Sequence, residues 1–121
     1  MKLKILPQDL TVCQVASVRD VDPDGEIWFF GKTDEELSLV CRTEDTPART
    51  LAREDGWRGF RVEGVLDFSL IGILSRLTAV LAGEGIGVFA VSTYNTDYIL
   101  VRATELDRAM AALAAAGYET E

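Results

Sequence analysis

The second half of the chain contains an apolar face that repeats at helical spacing. Apolar side chains recur at the i, i+3, i+4 and i+7 positions of one helical face, namely Leu70, Ile73, Leu74, Leu77, Val80 and Leu81. Gly83 and Gly85 follow directly, and glycine commonly ends a helix. The pattern predicts a helix with one buried side.

Strand patterns lie on both sides of this helix. Residues 60–65, FRVEGV, alternate apolar and polar side chains, which is typical of a half-buried strand. Residues 86–93 and 98–102 are rich in β-branched and aromatic side chains and predict a hairpin. Its loop of about four residues is close to the commonest hairpin lengths.

A second amphipathic helix and a short strand complete the chain. Thr104-Glu105-Leu106-Asp107 resembles a capping box, with Asp in place of the usual Glu or Gln. We expect this helix to end at Gly117, before a short strand around Tyr118, and to bury Leu106, Ala109, Met110 and Leu113. The order strand, helix, strand, strand, helix, strand predicts an α+β fold of the ferredoxin-like type, a four-stranded sheet with two helices on one face.

The first half predicts strands without a convincing helix. Apolar runs indicate strands at residues 3–6, 10–18, 26–31 and 37–42, of which the last two form a hairpin. Asp22-Pro23-Asp24-Gly25 predicts a turn and is too short for a helix. Residues 43–56 are polar and serve as a connector, in which one helical turn fits around residues 48–53. We therefore predict two units, residues 1–58 and residues 59–121.

The composition limits the classes of partner. The 121 residues include 12 Lys and Arg against 20 Asp and Glu, a net charge of -8. Nucleic acid and anionic membrane surfaces bind clustered basic residues, so neither is expected as a partner. The chain has no histidine, which excludes a His-based catalytic triad and a His-ligated metal site.

Cys13 and Cys41 each lie in a strand-like run of apolar residues. Two cysteines in a domain of this size do not indicate a disulfide scaffold, and a metal site needs more ligands, so we expect two reduced, buried thiols. The N-terminal MKLKILPQDL lacks the features of a signal peptide, and no apolar run approaches the ~20 residues of a membrane span. We expect a cytoplasmic protein with no metal and no other cofactor.

The loop LDFSLIG leads into the first helix. Asp67 or Ser69 can cap the helix, which puts Gly72 in its first turn, where glycine costs roughly 1 kcal/mol relative to alanine. Two interpretations fit Gly72. It lets the helix pack closely on the sheet, or it leaves the backbone N–H groups of the helix start open to an anion such as an amino-acid carboxylate.

A polar insert, STYNTD, interrupts the apolar hairpin at residues 92–97. Asn95 and Asp97 are ordinary turn residues, and a plain turn accounts for the insert. In the predicted order of elements, however, the hairpin starts beside the N-terminus of the first helix. Asp97 would then hold an ammonium or guanidinium group while the helix end holds a carboxylate, which together make an amino-acid site.

The segment VEGVLDFSLIGILSRLTAVLAGEGIGVFAVSTYNTDYILV resembles an ACT domain. The features are the L-D-F-S-L-x-G-I-L loop and helix, the G-I-x-x-F-x-x-S-T-Y-x-T-D-Y hairpin and the I-L-V strand, and WFFGKTDEELSLVC in the first half is also typical. More narrowly, the chain is similar to small bacterial two-ACT proteins related to the regulatory domains of aspartate kinase and to the CASTOR arginine sensors. The resemblance implies tandem ACT units, the first abbreviated and the second complete.

The resemblance also implies a non-catalytic regulatory module that binds an amino-acid effector where ACT units meet and that forms a homodimer. The implied ligand contacts are Asp67, Phe68, Ser69, Leu70, Ile71 and Gly72 in the loop and helix start, and Thr93, Tyr94, Asn95, Thr96 and Asp97 in the hairpin. Asp97 matches the carboxylate that faces the basic group of arginine in the sensors. The sensors also use an acidic residue in the first turns of the helix, where this chain has IGILSR, and this departure disfavours arginine.

Two other classes of function are weighed against this one. A ligand-free module that dimerises through exposed sheet edges is the main alternative, and STYNTD would then be a solvated turn. Catalysis would require Asp67 and Asp97 as an acid–base pair. The chain has no nucleophile motif and no phosphate-binding G-x-x-x-x-G-K loop, so we expect that it is not an enzyme.

Overall fold

The structure, a computed structural model, describes residues 1–64 and 72–121. In chain order its elements are β1 (Lys2–Ile5), β2 (Leu10–Val15), β3 (Trp28–Lys32), β4 (Leu37–Arg42), β5 (Ala52–Val62), α1 (Ile73–Gly83), β6 (Phe89–Ser92), β7 (Asp97–Arg102), α2 (Leu106–Ala115) and β8 (Glu119–Thr120). This combination of strands with two helices confirms the predicted α+β class. The chain divides into a smaller compact unit, residues 8–57, and a larger one, residues 1–7 with 58–121. The division predicted at 58/59 differs from this grouping in residues 1–7 and in Arg58.

The smaller unit has antiparallel strands in the order β3-β4-β2-β5 and contains only the first part of β5, residues 52–57, while the rest of β5 belongs to the larger unit. The predicted β3–β4 hairpin is present, and a 3.2 Å hydrogen bond from the Gly25 N–H to the Asp22 carbonyl oxygen closes the predicted turn. Its core contains buried Cys13, Val15, Leu39 and Cys41. Within residues 8–57, all of which are described, the helical segments are two single 3-10 turns, Val18–Asp20 and Thr43–Asp45.

The connector between the halves is more extended than the sequence predicts. The helical turn that could fit around residues 48–53 is not formed, because β5 already begins at Ala52. Cys13 of β2 pairs with Arg53, and Val12 pairs with Glu54. Cross-strand pairing thus overrides the polar composition of this segment, as strand propensity commonly yields to tertiary context.

The larger unit has five strands in the order β6-β7-β5-β1-β8. Strand β1 lies between β5, to which it is antiparallel, and β8, to which it is parallel. The two helices contribute to one core with the strands, and this core includes the fully buried residues Leu3, Phe60, Leu77, Leu81, Ile99, Val101 and Leu113. Among the described residues, neither helix is long and apolar enough to cross a membrane.

Helix α1 confirms the predicted apolar face over its described length. Ile73, Leu77 and Leu81 are buried, and Leu74 and Val80 pack at the edge of the core. The helix ends at Gly83, and the Ile86 N–H donates a hydrogen bond to the Leu81 carbonyl oxygen at 3.0 Å. Gly85 lies between them with φ +73°, a conformation that glycine adopts without strain.

Helix α2 buries the four predicted residues, Leu106, Ala109, Met110 and Leu113. The predicted capping box at Thr104 is wrong, because residues Ala103–Glu105 form a 3-10 turn that runs directly into the helix. Glu105 takes the cap position without a capping hydrogen bond from its side chain. The preceding 3-10 turn already supplies partners for the first backbone groups, which is a common way to begin a helix.

The two units repeat one local plan at the β3–β4 and β6–β7 hairpins. Each loop is closed by a hydrogen bond from a threonine N–H, from Thr33 to Glu36 at 3.0 Å and from Thr93 to Thr96 at 2.8 Å. The second strand of each hairpin ends at an arginine and continues into a 3-10 turn. The backbone angles at this arginine are φ -59°, ψ 142° for Arg42 and φ -58°, ψ 138° for Arg102.

Candidate functional site

The β6–β7 hairpin loop, residues 93–96, is held in one shape by its own threonines. The Thr93 N–H donates to the Thr96 carbonyl oxygen at 2.8 Å, and the Thr93 hydroxyl donates to the same oxygen at 3.1 Å. Both bonds are those of a tight turn. Thr93, predicted as a ligand contact, therefore has its hydroxyl engaged within the loop.

Thr96 ties this loop to the end of β5. The residue is 7% exposed, and its hydroxyl donates a hydrogen bond to the Val62 carbonyl oxygen at 2.7 Å. Val62 is the last residue of β5, and the chain from there leads into α1. The hydrogen bond fixes the hairpin loop beside the point where the β5-to-α1 segment begins.

Asp97 stands at the start of β7 with a fixed carboxylate. The Ser92 hydroxyl, on the paired residue of β6, donates to Asp97 Oδ1 at 2.7 Å. Asp97 is half-buried, whereas Tyr94 and Asn95 in the loop are exposed, Tyr94 at 80%. A carboxylate oriented in this way is suited to bind a cationic group, because the hydrogen bond holds its side chain in one orientation.

A charged pair, Arg61 and Glu63, flanks Val62 at the end of β5. Arg61 Nε donates to Glu63 Oε1 at 2.8 Å, and this hydrogen bond is the main cause that holds the pKa of Glu63 below its ordinary value. Hydrogen bonding raises the pKa of Arg61, with the bond to Glu63 as the larger cause and the bond to Tyr98 as the smaller one. The guanidinium thus connects the end of β5 with the strand that follows the hairpin loop.

At the start of α1, Gly72 precedes the helix. The expectation that it lies within the first turn is wrong, because α1 begins at Ile73 and Gly72 occupies the cap position with φ +80°. The Arg76 N–H donates to the Gly72 carbonyl oxygen at 2.9 Å. A Cβ built on Gly72 would lie 2.9 Å from Arg76 Nη1, so the guanidinium occupies the space that a larger residue would need.

The structure describes only part of the predicted site. Gly72 and the hairpin residues Thr93, Tyr94, Asn95, Thr96 and Asp97 are described, whereas Asp67, Phe68, Ser69, Leu70 and Ile71 lie outside the described residues. The sequence analysis did not include Ser92 among the site residues. Its position five residues before Asp97, across a four-residue hairpin loop, is the signal that the two residues pair on opposite strands. Within residues 1–64 and 72–121, no group of three or more Cys, Asp and Glu side chains is placed to hold a metal ion.

Several solved structures resemble the chain over most of its length. A protein of Agobacterium tumefaciens shares 32% identity with a TM-score of 0.88, covering 99% of this chain and 91% of its own. A Vibrio cholerae protein of unknown function, described as a possible transport protein, shares 18% identity with a TM-score of 0.71, covering 93% and 87%. The fold is also that of a chain in the aspartokinase alpha and beta subunits, at 12% identity and a TM-score of 0.65, covering 93% and 95%. Comparison with the curated proteins finds no match.

The ACT domain model matches residues 52–115. This range begins at the first residue of β5 and ends at the last residue of α2. It contains the complete run from β5 through α1, the β6–β7 hairpin and α2, which is the part of the chain whose order of elements predicts the ferredoxin-like plan. The match covers more than half of the sequence, and the chain belongs to the ACT domain family.

Proposed function

We propose that the protein is a non-catalytic sensor that binds one amino-acid effector per chain at the β6–β7 hairpin and the segment leading into α1. ACT domains are regulatory ligand-binding modules, so the family supports the general role. The observation that carries the site is the Ser92–Asp97 hydrogen bond of 2.7 Å, because it orients a carboxylate at the hairpin. The ligand's ammonium would pair with Asp97, and its carboxylate would lie at the start of α1.

The repeated hairpin plan supports one such site in each chain. In the smaller unit the β3–β4 hairpin has Lys32 and Leu37 at the paired positions that Ser92 and Asp97 occupy in the larger unit. The first hairpin therefore has no carboxylate at the position equivalent to Asp97, where one would hold an ammonium group. The same repetition supports the proposal of two ACT units in tandem, the plan of the small bacterial two-ACT proteins related to the CASTOR arginine sensors, with the first unit abbreviated.

We further propose that the effector binds where ACT units of two chains meet, in a cytoplasmic homodimer. Binding at such an interface changes the regulatory state only if the ligand has different affinities for the two arrangements of the dimer. Arginine is disfavoured as the effector, since the first turn of α1 contains Ser75 and Arg76 where an acid would be needed. A small neutral amino acid has one ammonium group for Asp97 and one carboxylate for the start of α1, and its side chain does not require a second acidic residue.

A thermal-shift screen with the twenty amino acids tests this proposal. A ligand present at one hundred times its Kd stabilises the folded state by ~2.7 kcal/mol, which raises Tm by several degrees in a domain of this size. We expect one or a few amino acids to do so. If none of the twenty moves Tm, the chain is instead the ligand-free dimerisation module.

Variants of the oriented carboxylate make the test specific. Asp97→Ala should abolish the shift and change the stability without ligand by less than about 1 kcal/mol, as for a turn residue near the surface. Ser92→Ala should reduce the shift without abolishing it. Asp34→Ala removes an exposed acid from the equivalent loop of the smaller unit and should leave the shift intact. An unchanged shift in Asp97→Ala would move the site away from the hairpin.

A further inference from the structure

We propose that the larger unit has a second binding site, for a small carboxylate with an apolar body, in a cleft between the start of α1 and the end of α2. The cleft has a volume of about 320 Å³ and is lined by Met1, Ile73, Arg76, Ala116, Gly117 and Tyr118. A volume of this size is at the lower end of the range for small-molecule sites. Both proposed sites reach the start of α1, but none of these lining residues belongs to the hairpin, so a variant of Asp97 alters only the effector site.

Arg76 supplies the charge of the cleft. Among the described residues, no carboxylate lies within ion-pair distance of its guanidinium. An arginine guanidinium can bind a carboxylate through two parallel hydrogen bonds. Gly72 lets the guanidinium lie against the backbone, since a Cβ there would come within 2.9 Å of Nη1. The position of this cation is therefore built into the helix start.

The opposite wall is fixed by the end of α2. Gly117, at φ +101°, turns the chain out of the helix, and the Tyr118 N–H donates to the Leu113 carbonyl oxygen at 3.0 Å. The next N–H, that of Glu119, donates to the Met1 carbonyl oxygen at 2.9 Å. These bonds hold Tyr118 and Met1 in place as walls, so the cleft does not need to be created by the ligand.

The chemistry of the walls selects the ligand class. Ile73, Ala116 and the half-buried ring of Tyr118 offer apolar surface, which favours a ligand with a hydrocarbon or aromatic body. The net negative charge of the chain does not oppose an anion here. Twelve of the 20 acidic residues lie in residues 8–57, against five basic ones, whereas the larger unit has eight acidic and seven basic residues.

Benzoate and its uncharged analogue benzamide form a matched pair of probes for this cleft. Titrated into the full chain and followed by ¹H–¹⁵N spectra, benzoate should shift the amides of Arg76, Gly117 and Tyr118, with a dissociation constant on the order of 1 mM. Arg76→Gln should weaken benzoate binding by about tenfold or more, because a charge-assisted pair is lost. Benzamide should bind the unmodified chain at least tenfold more weakly than benzoate does.

Control variants separate this site from the hairpin and from nonspecific charge effects. Arg108→Gln removes an arginine of α2 that does not line the cleft, and Asp97→Ala alters the proposed effector site, so both should keep full benzoate affinity. Ala116→Phe fills the cleft and should abolish binding. The proposal is overturned if benzoate shifts no amides of the cleft, if Arg76→Gln and Arg108→Gln weaken binding equally, or if benzamide binds as well as benzoate.

Discussion

The hydroxyl of Thr96 donates a 2.7 Å hydrogen bond to the carbonyl oxygen of Val62, which is 34 positions away in the sequence. Thr96→Val keeps the shape of the side chain but leaves the Val62 carbonyl without this donor. A buried acceptor that loses its partner costs about 1–3 kcal/mol, so we expect a loss of that size in the free energy of unfolding, measured with urea.

Thr96→Ser is the matched control, because it retains a hydroxyl at the same position. It should keep most of the stability that Thr96→Val loses. We also expect Thr96→Val to weaken the amino-acid thermal shift, since the loop would no longer be fixed at the end of β5. Equal stability of the Val and Ser variants would show that the hydrogen bond does not hold the hairpin.

Leu77 is the most informative residue of the α1 face for a packing test. It is 0% exposed and lies in the core of the larger unit. Leu77→Ala removes buried methyl groups and leaves a cavity, which commonly costs 2–5 kcal/mol. Denaturant unfolding should show this loss, whereas Ser75→Ala on the exposed side of the same helix should change stability by less than about 0.5 kcal/mol.

Asp55 gives the smaller unit a pH-dependent contribution to stability. It accepts hydrogen bonds from Arg53 Nε at 2.8 Å and from the Thr11 hydroxyl at 2.7 Å. These bonds, that of Arg53 first, hold its pKa below the ordinary value of 3.8. The stabilisation is therefore complete above that value and is lost as the pH falls through it toward the pKa of the folded state.

The free energy of unfolding should accordingly fall between pH 5 and pH 2, and less steeply in Asp55→Asn than in the unmodified chain. Some slope will remain in the variant, since hydrogen bonding to Arg42 lowers the pKa of Asp45 in the same direction. Parallel curves for the two proteins would mean that Asp55 has the same pKa in the folded and unfolded states.

Cys13 should react slowly with thiol reagents in the folded protein. It is 4% exposed, and burial, followed by the nearby Cys41, raises its pKa to about 11. The thiolate is the reactive form of cysteine, and at pH 8 only about one molecule in a thousand would have Cys13 as a thiolate. Both cysteines should react within the mixing time in denaturant and much more slowly without it. Fast labelling of the native protein would contradict the predicted buried thiols.

Periodicity and turn residues predict the larger unit well. The α1 face, the four buried residues of α2, the glycines that end both helices and the loop between β6 and β7 all depend on contacts close in the sequence. The start of β5 is different, because residues 52–57 are mostly polar and become a strand only by pairing with β2. Composition alone does not contain that long-range pairing.

The candidate site divides in the same way. The sequence indicates that Asp97 lies at a turn. The hydroxyl of Thr96, however, donates to a carbonyl oxygen on another strand, and the identity of residue 96 as threonine does not predict that partner. The sequence likewise does not predict that the guanidinium of Arg76 lies against Gly72, because this contact depends on the direction of the Arg76 side chain. One weak signal is present in the sequence: Leu39-Val40-Cys41-Arg42 and Ile99-Leu100-Val101-Arg102 each place three apolar residues and an arginine directly before the two repeated 3-10 turns.

The place of β1 between β5 and β8 sets an order for assembly during synthesis. Strand β1 precedes both of its partners in the sequence: the paired part of β5, residues 60–62, follows the smaller unit, and β8 consists of Glu119 and Thr120. Local contacts within residues 8–57 can form while the ribosome is still translating the rest. The larger sheet closes only after β8 has been synthesised, and such distant pairings form slowly. A chain cut short before β8 would leave one edge of β1 unpaired and open to association with other chains.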